Sequence, residues 1–120
     1  MSNEMPSPSE REPRLYLQDM LEFCDAVMAY TRGQAFDAWA ADGMRLDATL
    51  HKLALIGEAA MGVSNAVRAS APEIPWRKIV GTRNRVMHAY PGVDLSTIWL
   101  IATVDVPLLR QQLLALLQRR

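Results

Sequence analysis

The sequence predicts an all-α domain, a bundle of four or five helices. Apolar residues recur at three- and four-residue steps, no segment shows the alternation of a β-strand, and 120 residues with 50% apolar content suit one compact domain. Helices with one apolar face must bury that face against each other. We assign 12–120 to this domain. Residues 1–11 contain two prolines and no apolar periodicity, which predicts a flexible N-terminal tail.

The first helix is predicted from about Glu12 to Tyr30, closing before Gly33. A brief helical turn is expected over 36–40, ending near Asp42 and the following glycine. The apolar face of the first helix is formed by residues at helical spacing: Tyr16, Met20, Phe23, Cys24, Val27 and Tyr30.

A long helix is predicted over 45–69. Its inner stripe consists of Leu46, Leu50, Leu53, Ile56, Ala60, Val63 and Val67, and a separate polar stripe consists of His51, Glu58 and Asn65. A loop over 71–75 should follow. Pro75 suits the first position of the next helix, where no N–H is required.

Two further helices complete the bundle. The first runs from Pro75 toward Tyr90, where Pro91 and Gly92 should end it abruptly. The last begins at Asp94, a good N-cap. Pro107 inside it predicts a kink, because the carbonyl one turn earlier has no donor.

Charge and cysteine usage restrict the possible functions. The 13 basic and 13 acidic residues cancel, so no global positive field favours nonspecific nucleic-acid binding, and any RNA or DNA contact must be local. Cys24 has no second cysteine with which to form a disulfide. No unbroken apolar run reaches ~18 residues, and no secretion signal is visible. We therefore expect a soluble, cytoplasmic protein without a membrane partner.

The segment 83–90 carries the candidate chemistry: Arg83, Asn84, His88 and Tyr90. An arginine fork can hold phosphate oxygens, and a histidine can move a proton at neutral pH. This set suits cleavage of a phosphodiester.

Helical geometry separates these groups. Asn84 and His88 share one face, whereas Arg83 and His88 lie about 140° apart at about 100° per residue. If Tyr90 leaves the helix before Pro91, its ring can fold back toward His88. Two copies meeting across a two-fold axis would bring Arg83 and His88 together. We therefore expect a homodimer with its sites in the shared cleft.

Structural roles compete with each of these interpretations. An arginine on a helix is usually a solvated charge, and a histidine near a helix C-terminus often only contacts the dipole. A metal site built from His51, Glu58, His88 and Cys24 has unsuitable spacing, because helix-borne ligands usually lie three or four residues apart. The three tryptophans favour core packing over base stacking: Trp39, Trp76 and Trp99.

The run from Ile74 to Tyr90, IPWRKIVGTRNRVMHAY, resembles the diagnostic core of the HepT-like toxins, a branch of the HEPN superfamily. The upstream Ile56-Gly57-Glu58 resembles the mid-helix signature of that family, and Gly92-Val93-Asp94 with Trp99 resembles the stretch after the motif. The resemblance extends from about Arg14 to Leu117. Arginine, four residues, histidine, one residue and tyrosine form a loose pattern alone, but the combination with the other segments is specific.

The resemblance implies a dimeric HEPN helix bundle that is a metal-independent endoribonuclease without a cofactor. Such proteins are the toxin half of a type VII-like pair with a minimal nucleotidyltransferase antitoxin. Arg83 and His88 would then be catalytic, with Asn84 supporting them. Tyr90 would be the residue that the antitoxin AMPylates to silence the toxin.

A consistent mechanism is attack of the RNA 2′-hydroxyl on the neighbouring phosphorus, with His88 as general acid or base and Arg83 stabilising the added negative charge. Glu58 is expected to support the site by pairing with Arg83 or Arg85. The rival interpretation is a non-catalytic HEPN adaptor that binds a nucleotidyltransferase or a nucleotide. The leucine-rich last helix would suit a protein interface of that kind.

Overall fold

A computed structural model describes residues 12–88 and 94–119. Every regular element within these ranges is helical, which confirms the all-α prediction. The predicted N-terminal tail and the predicted turn at Tyr90 lie outside the described residues. The elements are α1 (Pro13–Thr31), α2 (Phe36–Ala41), α3 (Gly43–Gly62), α4 (Asn65–Ser70), α5 (Trp76–His88), α6 (Leu95–Leu100), a π-helical segment (Ile101–Asp105) and α7 (Val106–Gln118).

The helix α3 lies at the centre of the packing. It packs against α1 and against α5, and α1 also packs against α7. The core therefore forms between the long helices, with side chains from nearly every element. Its largest fully buried members are Leu17, Met20, Trp39, Ile74, Ile98, Leu113 and Leu116.

The first two helices follow the prediction. The helix α1 ends at Thr31, before Gly33, whose φ of +72° reverses the chain at little cost for a residue without Cβ. Asp42 closes α2 and caps α3, because its side chain accepts a hydrogen bond from the Arg45 N–H at 3.1 Å.

The predicted helix over 45–69 is wrong as one piece, because the chain breaks at Val63 and Ser64. Ser64 caps a new helix by accepting from the Val67 N–H. Arg68 donates to the carbonyls of Ala60 and Val63 at 2.7 and 3.1 Å, which satisfies acceptors at the end of α3. The apolar spacing continues across the break, so periodicity alone did not reveal it.

The C-terminal helix also differs from the prediction. Asp94 caps it as expected, accepting from the Ser96 N–H at 3.0 Å. A disturbance accompanies Pro107 in the form of the π-helical segment, which ends at Asp105, two residues before the proline. A widened turn accommodates the missing N–H of proline within a continuous helical path.

By length and composition, Leu95–Gln118 could also cross a membrane. The core helix of a bundle satisfies the same criteria. Here one face of the segment is buried in the core through Ile98, Ala102, Leu109 and Leu113.

All three tryptophans pack as predicted. Trp39 is fully buried and donates its indole N–H to Thr49, and Trp76 donates to the Ala71 carbonyl, both at 3.1 Å. Trp99 contacts the Trp39 ring with centroids 5.1 Å apart. All three rings therefore pack in or against the hydrophobic core.

Candidate functional site

The helix α5 packs into the core at its first residue and is exposed to solvent along its outer side. Trp76, its first residue, is buried, and the carbonyl of Pro75 accepts from the Ile79 N–H at 3.0 Å. Pro75 thus directly precedes the helix, which begins at Trp76, one residue later than predicted. The less exposed side of α5 carries Ile79, Val80, Thr82, Arg83 and Val86.

Arg83 points toward α3 and is mostly buried, with 21% of its side chain exposed. Its Nη2 atom lies 3.4 Å from Oε1 of Glu58 on α3. Its Nη1 atom donates to Oδ1 of Asn84 at 2.9 Å. The predicted pairing of Glu58 with a basic residue is thus present, and the partner is Arg83 rather than Arg85.

The guanidinium also has an unused donor. The Nε atom of Arg83 is buried and has no hydrogen-bond partner among the described residues. Buried donors are nearly always paired, so such a group requires an explanation. The Glu58 contact, at 3.4 Å, is longer than an ordinary N–H···O bond of 2.7–3.2 Å. Glu58 and Asn84 therefore both hold the guanidinium of Arg83, but the contact with Glu58 is weak.

Gly57 determines how closely α5 approaches α3. A Cβ at this position would lie 2.9 Å from Cγ of Arg83 and closer still to its Cβ, with the Ile79 carbonyl at 3.2 Å. Only glycine accommodates this approach without displacing α5. Gly57 thus places the stem of Arg83 beside Glu58. The sequence resemblance included this glycine but assigned it no role.

Asn84 connects Arg83 to the face that carries His88. Asn84 and His88 are one turn apart and both exposed. Arg83 and His88 lie about 140° apart around the helix. Because the guanidinium of Arg83 reaches Asn84, which lies on the face of His88, the long side chain of Arg83 spans part of that angle. The angle between Arg83 and His88 therefore does not by itself require a second chain to complete the site. Tyr90 lies outside the described residues.

The four residues that the sequence analysis considered and rejected as a metal set lie in different environments. Cys24 is buried in the core, where burial raises the pKa of its thiol to about 12, whereas His51, Glu58 and His88 are exposed. Among the described residues, no group of three or more His, Cys, Asp or Glu side chains could hold a metal ion. The predicted stripe is also interrupted, because Asn65 begins α4 instead of continuing α3.

An apolar ridge runs beside α5 on the C-terminal helix. Leu100, Val104 and Leu108 lie four residues apart and are each 55–59% exposed. An open groove separates the ridge from α5. Lys78 and Asp105 bridge this groove with an ion pair at 3.1 Å.

Comparisons with known proteins identify the family. The family described as "Ribonuclease HepT-like" matches residues 20–116. "Putative RNase MJ1380" of Methanocaldococcus jannaschii is 32% identical over 104 residues, covering 87% of this chain and 95% of that protein. "Probable ribonuclease HepT" of Thermococcus cleftensis is 33% identical over 101 residues, covering 84% and 92%.

A third relative, "Putative RNase TTE0752" of Caldanaerobacter subterraneus, is 29% identical over 109 residues, covering 91% of this chain and 97% of that protein. No solved structure matches the chain significantly. The family match spans the helices that build the fold and the one that carries Arg83, Asn84 and His88. On this evidence the chain belongs to the HepT-like ribonuclease family of the HEPN superfamily.

Proposed function

We propose that the protein is a metal-independent endoribonuclease and the toxin of a toxin–antitoxin pair. The observation that carries this proposal is the arrangement of Arg83, whose guanidinium is guided by Glu58 on one side and by Asn84 on the other. Asn84 in turn lies one turn from His88. An anion binder and a proton carrier thus lie within the last two turns of one helix.

The reaction begins with the RNA 2′-hydroxyl. His88 takes its proton, the oxygen attacks the adjacent phosphorus, and the bond to the 5′-oxygen of the next nucleotide breaks. The products are a 2′,3′-cyclic phosphate and a 5′-hydroxyl, which takes up a proton. Arg83 stabilises the extra charge on phosphorus, and general acid–base catalysis contributes roughly 10²–10⁴-fold.

The loose contact between Arg83 and Glu58 suits this role. A carboxylate at 3.4 Å and an unpaired Nε leave the guanidinium free to exchange Glu58 for a phosphate without breaking a tight ion pair. Arginine binds phosphate through two parallel hydrogen bonds, so the fork gains contacts when the substrate arrives. Glu58 therefore acts as a guide for the resting side chain and not as a proton carrier.

A homodimer with its sites in the shared cleft is part of the proposal. Its support is the ridge of Leu100, Val104 and Leu108, because exposed apolar patches rimmed by polar groups commonly mark interfaces. Ridge and groove occur on the same side of one chain, as a self-complementary two-fold interface requires. The same ridge would also suit the non-catalytic adaptor, whose partner would be another protein.

Silencing by AMPylation of Tyr90 completes the proposal. A minimal nucleotidyltransferase would transfer AMP from ATP to the phenol oxygen and release pyrophosphate. Tyr90 follows His88 by two residues, so a bulky phosphate-bearing group there would be close to the site and would repel the RNA backbone. Both partners would meet in the cytoplasm.

Cleavage of labelled RNA in EDTA tests the nuclease. We expect Arg83→Ala and His88→Ala to abolish cleavage while circular dichroism shows an intact fold. The chain supplies matched controls, because His51 is its other histidine and Arg32 is another exposed cation, and their alanine variants should cleave normally. Normal cleavage by His88→Ala would contradict the proposal, as would binding of a nucleotidyltransferase without any RNA cleavage.

The modification is tested by incubation with a candidate nucleotidyltransferase and ATP. Mass spectrometry should show one added AMP per chain, lost in Tyr90→Phe and kept in Tyr30→Phe. Light scattering tests the dimer. A monomer with full activity would exclude a composite site.

A further inference from the structure

The helix α5 carries a concentration of positive charge in a chain that is neutral overall. It holds four of the 13 Lys and Arg residues and none of the 13 Asp and Glu residues. The remainder of the chain is therefore acidic. An anionic polymer that approaches this protein is therefore attracted to α5 more strongly than to the rest of the chain.

The cations of α5 are not equally available. Arg83 faces Glu58, and Lys78 is paired with Asp105 at 3.1 Å. Arg77 and Arg85 are exposed and have no ion pair or hydrogen bond within the described part of the chain. Two unpaired cations thus lie about 12 Å apart along the helix, at 1.5 Å per residue.

Gly81 occupies the centre of the exposed side, between these two arginines. A Cβ added there would meet no atom within 4 Å, so packing within the chain does not require a glycine. Glycine inside an exposed helix is unfavourable compared with alanine. The two shallow depressions that flank α5 both include Gly81 in their walls. A glycine with open surroundings leaves room for a group outside the chain to approach the helix backbone closely.

We propose that the outer side of α5 is the track on which the RNA strand lies, with Gly81 as the point of closest approach and Arg77 and Arg85 as phosphate contacts. This inference rests on the proposed function. Arg77 lies about 16 Å from His88 along the axis, so it contacts a phosphate other than the one that is cleaved.

A second copy of α5 packed directly against this side is a poorer occupant than RNA. Two such helices would oppose Arg77 and Arg85 with the same residues and would repel each other. An RNA backbone brings the opposite charge. The apolar ridge lies across the groove on the C-terminal helix, so a dimer formed there would leave the track accessible.

Binding of a short fluorescein-labelled 2′-O-methyl oligoribonucleotide, which cannot be cleaved by its own 2′-oxygen, tests the track. A phosphate contact on single-stranded RNA contributes about 0.7 to the slope of log K against log salt, so Arg77→Ala should lower the slope by that amount and weaken binding roughly fivefold near 0.1 M salt. Arg85→Ala should do the same. Arg32→Ala, which removes an exposed cation outside α5, should leave the slope unchanged.

Gly81→Ala provides a test in which stability and binding change in opposite directions. The added methyl group should raise the melting temperature while weakening RNA binding, a combination that a purely structural role would not produce. Gly43→Ala is the matched control, because its Cβ also meets nothing within 4 Å and it lies outside α5. It should leave binding unchanged.

The outcomes separate the two proposals. If the protein cleaves unmodified RNA but Arg77→Ala, Arg85→Ala and Gly81→Ala bind the oligonucleotide as the wild type does, the track is wrong and the nuclease stands. If no RNA is cleaved or bound, the proposed function fails and the track fails with it.

Discussion

Replacing Gly57 with alanine tests whether the contact between α3 and α5 sets the activity. The new Cβ would lie 2.9 Å from Cγ of Arg83 and closer to its Cβ. Carbon atoms in contact prefer about 3.5–4.0 Å, so α5 must withdraw by roughly 1 Å. The stem of Arg83 moves with it.

The expected effect on catalysis is large. A misplacement of about 1 Å can cost roughly 10²-fold in rate, so we expect kcat for RNA cleavage to fall by about that factor. Overpacking should also lower the free energy of unfolding by about 1–3 kcal/mol. Initial rates must therefore be measured well below the melting temperature and normalised to folded protein by circular dichroism.

Gly62→Ala is the matched control for this experiment. Its Cβ would lie 2.6 Å from Cζ of Tyr16, a comparable clash, but between α3 and α1 and away from Arg83. It should lower stability to a similar extent and leave kcat unchanged. Equal losses of kcat in both variants, or wild-type kcat in Gly57→Ala, would refute the reasoning.

Three further predictions concern single residues. Glu58→Ala should slow RNA cleavage by about two- to fivefold without abolishing it, because a half-exposed ion pair is worth at most about 1 kcal/mol, and Glu58→Gln should slow it less. Ser64→Ala should lower the free energy of urea unfolding by about 1 kcal/mol through loss of the α4 cap, and an unchanged midpoint would disprove the cap. The thiol of Cys24 has a folded pKa near 12 and an ordinary value of 9.0, so the unfolded thiol ionises first and stability should fall as pH rises above 9. Urea unfolding on both sides of that pH should show this loss in the wild type, and a slope that persists in Cys24→Ala would assign it to another group.

Much of the fold could be predicted because its signals are local. The helix α1 ends before Gly33 because a glycine can adopt positive φ, and Asp42 and Asp94 cap helices with their own carboxylates. The participating atoms in each case lie within four residues of one another. Patterns of this range are visible in one sequence.

The break between α3 and α4 could not be predicted in the same way. The spacing of Ala60, Val63 and Val67 continues through it, and Ser64 alone is a common residue within helices. The guanidinium of Arg68, which reaches two carbonyls at the end of α3, stabilises the broken form. Arg68 can make these contacts only because of the direction in which α4 leaves the end of α3.

The candidate site also has one part that the sequence predicts and another that is visible only in the folded chain. From the sequence come Arg83, Asn84, His88 and Glu58, because their residue types and order resemble a known family. Gly81 also carried a visible signal, since a glycine inside a helix is unusual, but its empty surroundings are seen only in the folded chain.

The sequence by itself therefore determined the helical class, most helix ends and the residues that we propose to act on a phosphodiester. Only the tertiary structure decided that the fork of Arg83 is guided by Glu58, 25 residues away, and reaches Asn84 on the face of His88. The physical reason is that this contact depends on the distance between α3 and α5. Gly57 sets that distance through packing, and periodicity along the chain carries no information about it.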